Sequence, residues 1–343
     1  MNEFKSIWAP YLKEFLEYKR LSGYKYDKGY KILKQFDKHY NEMQINGLVL
    51  SKTVIESFLY LKGDRKITTK QRKASVIRQF CDFALRNNII DEYYKVPVIS
   101  SRGSEIFIPH IFSKQELSLI VEYMNNYSML DVKKVSRTGC NTINAVSTIF
   151  KILISTGMRI GEVLHLKYKD IDFNNELFVV LEAKNDNQRL IPFSKTIKNE
   201  VINYIINTPF QIDKDDHLFK SNTNSVVNRE LCYYYFRKSI DYISKKYPIY
   251  KKARIHDFRH TYAVMALTQL QQTEGNINLS LTYLSDYLGH KSLKETQKYL
   301  WLTDNVNIIF TKKDHLFFTN FDHFFNHLMH LAHLSICKMG QQY

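Results

Sequence analysis

Cysteine is scarce in this 343-residue chain: Cys81, Cys140, Cys232 and Cys337 lie far apart and form no C-x-x-C pair. That scatter excludes a zinc ribbon and a disulfide framework, and it reads as reduced, structural thiols. Long hydrophobic runs are missing too. None approaches the roughly 18 residues that a membrane helix needs, and the opening MNEFKSIWAP has no signal-peptide core. The expectation is a soluble, cytoplasmic protein with no membrane partner. There are no internal repeats, no low-complexity tracts and no Walker-type phosphate loop, and no residue cluster has metal-ligand spacing. Neither a cofactor nor a metal is expected.

What is present is a basic, aromatic-rich chain. The 49 Lys and Arg outnumber the 34 Asp and Glu, giving a net charge of +15, while a 44% hydrophobic and 14% aromatic composition argues against disorder. A polyanion is the first partner such a charge suggests, nucleic acid before others. Residues 1–100 carry 19 Lys and Arg against 11 Asp and Glu, a net +8, which leaves +7 for the remainder. Both parts of the chain are basic, as expected if both touch one long ligand.

The length allows two domains. In the first part, Trp8, Tyr11, Leu12, Phe15 and Leu16 make one helical apolar face, Tyr30, Leu33 and Phe36 a second, and Val54, Ile55, Phe58 and Leu59 a third. A fourth helix sets Val76, Ile77, Phe80, Phe83 and Ala84 against Lys66, Lys70, Arg72, Lys73 and Arg78. Its basic residues are candidates to lie along a phosphate backbone, with a merely solvated face as the alternative. Pro97, Gly103 and Pro109 then break the periodicity and place a linker at 93–110. The second part is helical except for two predicted strands, 176–183 and 189–193, around an Asn-Asp-Asn turn beside Lys184. The predicted class is mainly α, with one small antiparallel sheet.

Six side chains in the second part could serve one reaction. A helix ends at Gly157, and Arg159 opens the next, three residues before Glu162. In ARIHDFRHTYAVMAL, His256 and Arg259 share a helix face. Leu281, Leu284 and Leu288 form a helix that Gly289 stops, so that His290 begins a turn. Ser292 and Glu295 then cap a helix carrying Tyr299. Two guanidiniums can bind the non-bridging oxygens of a phosphodiester transition state. A tyrosine hydroxyl, which must lose a proton to attack, would have histidine and lysine as partners.

The chain resembles the tyrosine recombinases, the phage integrase family. The resemblance rests on TGMRIGEVLHL around Arg159, AKNDNQRLIP around Lys184, HDFRHTYA around His256 and Arg259, LGH ending at His290, and TQKYL containing Tyr299. It implies a helical core-binding domain at 1–92, a linker at 93–110, a catalytic domain at 111–313 and a helical tail at 314–343, closing as a C-shaped clamp on double-stranded DNA. By the same resemblance, Tyr299 attacks the scissile phosphate to leave a 3′-phosphotyrosyl link and a free 5′-hydroxyl. Arg159 and Arg259 stabilise the transition state, Lys184 protonates the leaving oxygen, His256 moves a proton, His290 hydrogen-bonds the phosphate and Glu162 supports the site. A homotetramer on paired sites, with accessory proteins, is also implied. The long segment before LGH, Trp301, and YKRLSGYKY near the start look more like transposon-borne members. A type IB topoisomerase and a silent DNA-binding accessory protein are the competing readings.

In the tail, Phe317, Phe321, Phe324, Leu328 and Leu331 trace one apolar stripe. His323, His327 and His330 lie opposite, with no cysteine or carboxylate to complete a zinc site, and read as a polar face. The apolar stripe needs a partner surface, either on a neighbouring subunit or in cis. If it docks on a neighbour, deleting residues 314–343 should leave single-site DNA binding intact and abolish synapsis. A well-folded truncation that recombines at the full rate would place the stripe in cis.

Overall fold

The computed structural model describes residues 4–61, 67–100, 108–130, 139–181, 188–245, 253–274, 276–290 and 292–306. Lys66, Lys184 and the whole tail, including its phenylalanine and histidine stripes, lie outside these residues. The chain divides into two compact units, Met1–Phe107 and Ile108–Tyr343. Among the described residues no helix is long and apolar enough to cross a membrane.

The first unit is built from α1 (Ala9–Leu21), α2 (Asp27–Glu42), α3 (Lys52–Leu59) and α4 (Ile67–Arg86). Their apolar stripes meet in an aromatic core, where Trp8 and Phe15 pack edge-on against Phe80, and Phe36 against Phe58. Ser51 caps α3 by accepting from the Val54 N–H. Asp37, 3% exposed, accepts from the backbone N–H groups of Lys5 and Ser6 and from the Ser6 hydroxyl, pinning the chain start to α2.

Two sequence expectations change here. Lys73 does not face outward: it stands three, four and seven residues before Val76, Ile77 and Phe80, on the buried stripe of α4. It is 3% exposed, with its ammonium 4.4 Å from the Phe58 ring centroid. It is therefore unavailable to a phosphate backbone. Arg78 is turned inward as well, donating to the carbonyls of Val96 and Pro97. Lys70 is half-buried with its ammonium 5.0 Å from the Tyr60 ring, and Arg72 remains exposed. The start of the expected linker is also held down, since Val96 is 2% exposed and Tyr93, Tyr94 and Ile99 pack on the first core.

The second unit contains α5 (Lys114–Leu130), α6 (Gly139–Thr156), α7 (Ile160–His165), a sheet, and α8 (Lys195–Asn207), α9 (Arg229–Ile243), α10 (Asp257–Glu274), α11 (Ile277–Leu288) and α12 (Leu293–Val306). The sheet runs β1 (Ile171–Asp172), β2 (Leu177–Leu181), β3 (Gln188–Pro192), all antiparallel, with Val180 opposite Arg189. It is the small sheet expected, extended by the two-residue β1. Phe112, Phe150, Phe236 and Phe258 knit the core. Within it, α10 packs against α6 and α11, the helices that end just before Arg159 and His290, and against α12, which carries Tyr299.

Asp37→Ala would strand three donors, two of them buried, and should lower stability by roughly 2–4 kcal/mol. Lys38→Ala, which breaks an exposed ion pair with Glu42, should change it by less than about 0.5 kcal/mol. Chemical denaturation midpoints of the two variants check the contrast.

Candidate active site

Two left-handed glycines frame the site. Gly157 (φ +62°) ends α6, its N–H returning to the Leu153 carbonyl, and Gly289 (φ +62°) ends α11. At the second stop the Gly289 and His290 N–H groups return to the Asp286 and Ser285 carbonyls, the paired bonds of a Schellman turn. Gly157 is required for space as well as for φ. A Cβ there would lie 2.4 Å from the ring of Tyr262 on α10.

These turns present carbonyl oxygens to the two arginines. Arg259, in the first turn of α10 and 2% exposed, donates to Gly157 O at 3.0 Å and to Leu288 O. Arg159, which precedes α7, donates through Nη2 to Gly289 O at 3.0 Å and through Nη1 to Glu162 Oε1 at 2.8 Å. The Arg159 backbone N–H donates to Glu162 Oε2. Arg159 and Arg259 thus meet where α6, α7, α10 and α11 end or begin.

Glu162 also binds a third guanidinium that sequence reasoning passed over. Arg189 Nη2 donates to Glu162 Oε2 at 2.9 Å, and the Arg189 side chain is 9% exposed. Its signal was present in the strand pattern: on β3, Arg189 and Ile191 occupy inward positions, and a charged residue at such a position needs a buried partner.

Tyr299 on α12 is 1% exposed, and its hydroxyl lies 3.2 Å from Nδ1 of His260, one residue after Arg259. The His290 ring stacks 6.2 Å from the Tyr299 ring, interplanar angle 16°, while His290 Nδ1 is hydrogen-bonded to Thr296 Oγ1 at 2.7 Å. His256, at the surface, sets its ring edge-on to His260 at 4.8 Å. The Lys298 ammonium sits 5.1 Å from the Tyr299 ring centroid. Five candidates, Arg159, Glu162, Arg259, His290 and Tyr299, are therefore brought together, with His256 at their edge. His260, Thr296 and Lys298 join them although the sequence reading did not single them out. For His260 the usable signal was its i, i+4 relation to His256.

The electrostatics are those of a site in which the cations Arg159, Arg189, Arg259 and Lys298 outnumber the paired carboxylate, Glu162. Burial, then Arg159, lowers Arg259 to about 10, so it stays protonated at neutral pH. Burial and the surrounding cations push His260 and His290 down to about 3, leaving both neutral. Burial, then Arg259 and the other nearby cations, lower His256 to about 4, against the opposing pull of Asp257. Burial raises Tyr299 to about 12 against the opposing pull of Arg259 and Arg159. Burial alone would raise Glu162, but Arg189 and the donors of Arg159 outweigh it and hold the carboxyl below its ordinary range.

The sign for Glu162 follows from that depression. Its stabilisation is complete above the unfolded carboxyl's pKa of about 4.3 and is lost as pH falls through the lower folded value. Glu162→Gln should flatten the fall in melting temperature below about pH 4.3, measured against wild type across an acid series. An unchanged acid slope would contradict the two-arginine linkage.

Residues 112–305, more than half of the chain, match the phage integrase family. A probable integrase/recombinase protein of Methanocaldococcus jannaschii is 29% identical over 251 residues, covering 71% of this chain and 70% of that protein. Tyrosine recombinase XerC of Staphylococcus carnosus is 26% identical over 249 residues, 70% of this chain and 77% of the other. In fold, the chain is similar to the XerH site-specific recombinase bound to palindromic difH substrate in a post-cleavage complex. The TM-score is 0.61 at 18% identity, over 86% of this chain and 92% of that one. It is also similar to the Tn1549 transposon integrase in complex with transposon right end DNA, with TM-score 0.59 at 14% identity over 87% and 98% of the two chains. The stretch that gathers the buried arginines and the tyrosine is the stretch that matches, and on that ground the chain belongs to the phage integrase family, as a tyrosine recombinase.

Proposed function

We propose that this recombinase cleaves and rejoins duplex DNA at specific sites through a 3′-phosphotyrosyl link on Tyr299, in the service of a mobile element. The observation that carries the reading is the pair of guanidiniums on Arg159 and Arg259, anchored on glycine-turn carbonyls beside a buried tyrosine hydroxyl. A phosphodiester is the anion this pair fits, because forked donors match its non-bridging oxygens. As Tyr299 attacks, charge accumulates on those oxygens, and donors fixed in advance stabilise it without reorganising. With Tyr299 at 1% exposure, docking of DNA has to uncover the hydroxyl before attack.

The remaining roles follow the family pattern. Lys184 protonates the leaving 5′-oxygen, His256 assists proton transfer, and His290 donates to the phosphate from a ring fixed by Thr296. Glu162 keeps Arg159 aimed. The phosphotyrosine conserves the bond energy, so a second DNA end can rejoin without a nucleotide cofactor. Double-stranded DNA is the partner, and a homotetramer on paired sites, with accessory proteins in attendance, is the working assembly. Support for DNA comes from the net charge of +15 and from relatives of this fold solved on DNA. The transposon setting has its support in the Tn1549 integrase.

The test is a nicked duplex carrying a site selected from random DNA by binding to the protein, which traps a covalent intermediate as the short fragment bearing the 5′-hydroxyl diffuses away. Wild type should form the adduct in EDTA as well as in magnesium. Tyr299→Phe should form none while still binding the duplex, and Arg259→Ala should slow adduct formation by at least about 100-fold, near 3 kcal/mol. An adduct on another tyrosine, or cleavage that requires a divalent metal, would overturn the reading.

A further inference from the structure

The hydroxyl of Tyr299 has one hydrogen-bond partner among the described residues, and it is His260. Neither the family pattern nor the sequence reading gives this histidine a part in the reaction. Its placement is specific. It follows Arg259 on α10, so the helix turn that sends Arg259 to the Gly157 and Leu288 carbonyls sends His260 toward α12. His260 is 7% exposed, and its ring centroid lies 5.7 Å from that of Tyr299. His256 covers its other side, edge-on at 4.8 Å.

From this geometry we infer that His260 is the proton acceptor for Tyr299, a catalytic residue of the cleavage step. The inference rests on the proposed phosphotyrosyl reaction and names the group that makes its nucleophile. The ring is suited to accept, because burial, then His256 and the cations Lys298, Arg254 and Arg259, keep it neutral, and the tautomer protonated on Nε2 turns the Nδ1 lone pair to the hydroxyl. Its basicity in this structure is low for the same reasons. A phosphodiester docked between the arginines adds negative charge beyond that of Glu162, and that charge favours an imidazolium beside it.

The step balances. The bond from Tyr299 Oη to phosphorus forms as the bond from phosphorus to the 5′-oxygen breaks. The phenolic proton passes to His260 Nδ1, and the 5′-oxygen takes its proton from the general acid, the role assigned to Lys184. In rejoining, the 5′-hydroxyl attacks and gives its proton back to the general acid, while His260 returns its proton to the departing tyrosine oxygen, as microscopic reversibility requires. His260 and the general acid therefore act on opposite ends of the same displacement, and this separates them experimentally.

The experiment measures single-turnover adduct formation on the nicked duplex, and on the same duplex with sulfur replacing the bridging 5′-oxygen. A thiolate leaves without protonation, so it bypasses the general acid and leaves the need for a base untouched. His260→Ala should be slower than wild type by about 100-fold or more on both substrates, the usual contribution of a positioned base, and added imidazole should restore part of the rate. His260→Gln retains a hydrogen-bond acceptor but cannot hold the proton, and it should be comparably slow. Lys184→Ala, by contrast, should recover on the sulfur substrate. If His260→Ala fails to fold, judged by its melting curve, the glutamine variant decides alone.

Several results would overturn the assignment. Glutamine at wild-type rate would reduce His260 to a positioning contact, alanine at wild-type rate would remove it from the reaction, and either variant cleaving faster than wild type would make it a latch on the tyrosine. Full recovery of His260→Ala on the sulfur substrate would place it on the leaving-group side. Failure of the underlying reading looks different, because then wild type itself forms no adduct at Tyr299.

Discussion

The site in the second unit turns on holding two like charges side by side, Arg259 out of water and Arg159 with its side chain 38% exposed. Arg259 is 2% exposed and lies close enough to Arg159 to be lowered by it. Buried cations are tolerated only when their donors are satisfied. Here the acceptors are main-chain carbonyls at Gly157, Leu288 and Gly289, with Glu162 neutralising one side. Those carbonyls point inward because α6 and α11 both end in left-handed glycine turns. The Tyr262 ring, wedged where a Gly157 side chain would stand, fixes the first turn against α10. Backbone geometry therefore sets the arginine positions, and long flexible side chains are left little freedom.

This arrangement explains why the neighbouring histidines are neutral and the tyrosine is hard to ionise. In a cationic, poorly hydrated pocket, protonating an imidazole adds a like charge, and the phenol loses the water that would stabilise its anion. A phosphodiester changes both conditions by bringing further negative charge. Under the proposed reaction, the proton-transfer groups would gain basicity when that charge is present. Catalysis of this kind depends on preorganised donors, consistent with the rigid turn contacts that hold them.

Much of this was legible in the sequence, for physical reasons. The two glycine stops, the arginine that opens α7, and the histidine and tyrosine flanking a tight turn are set by local periodicity and turn chemistry, which a sequence displays directly. Arg189 was less visible because its importance comes from strand alternation across a sheet: its charge only becomes unusual once Ile191 is known to face inward. Lys73 misled because a lysine near the start of a basic helix reads as surface until its register with Ile77 and Phe80 is drawn, and an aromatic ring then takes the ammonium. His260 stood inside a quoted motif, yet only the fold brings Tyr299, 39 residues away, onto its ring nitrogen. Tertiary pairings of this kind leave no local trace.

In the proposed reaction, Arg159 and Arg259 act by neutralising charge on the phosphate's non-bridging oxygens. The most direct measurement replaces one of those oxygens with a methyl group at the scissile position, which makes the linkage neutral, and compares adduct formation by wild type and Arg259→Ala. On the ordinary phosphate the variant should be slower by about 100-fold or more. On the methylphosphonate most of that difference should vanish, since there is little charge left to neutralise. An equal loss on both linkages would contradict the claim and would make Arg259 a scaffold for its turn rather than a clamp on the phosphate.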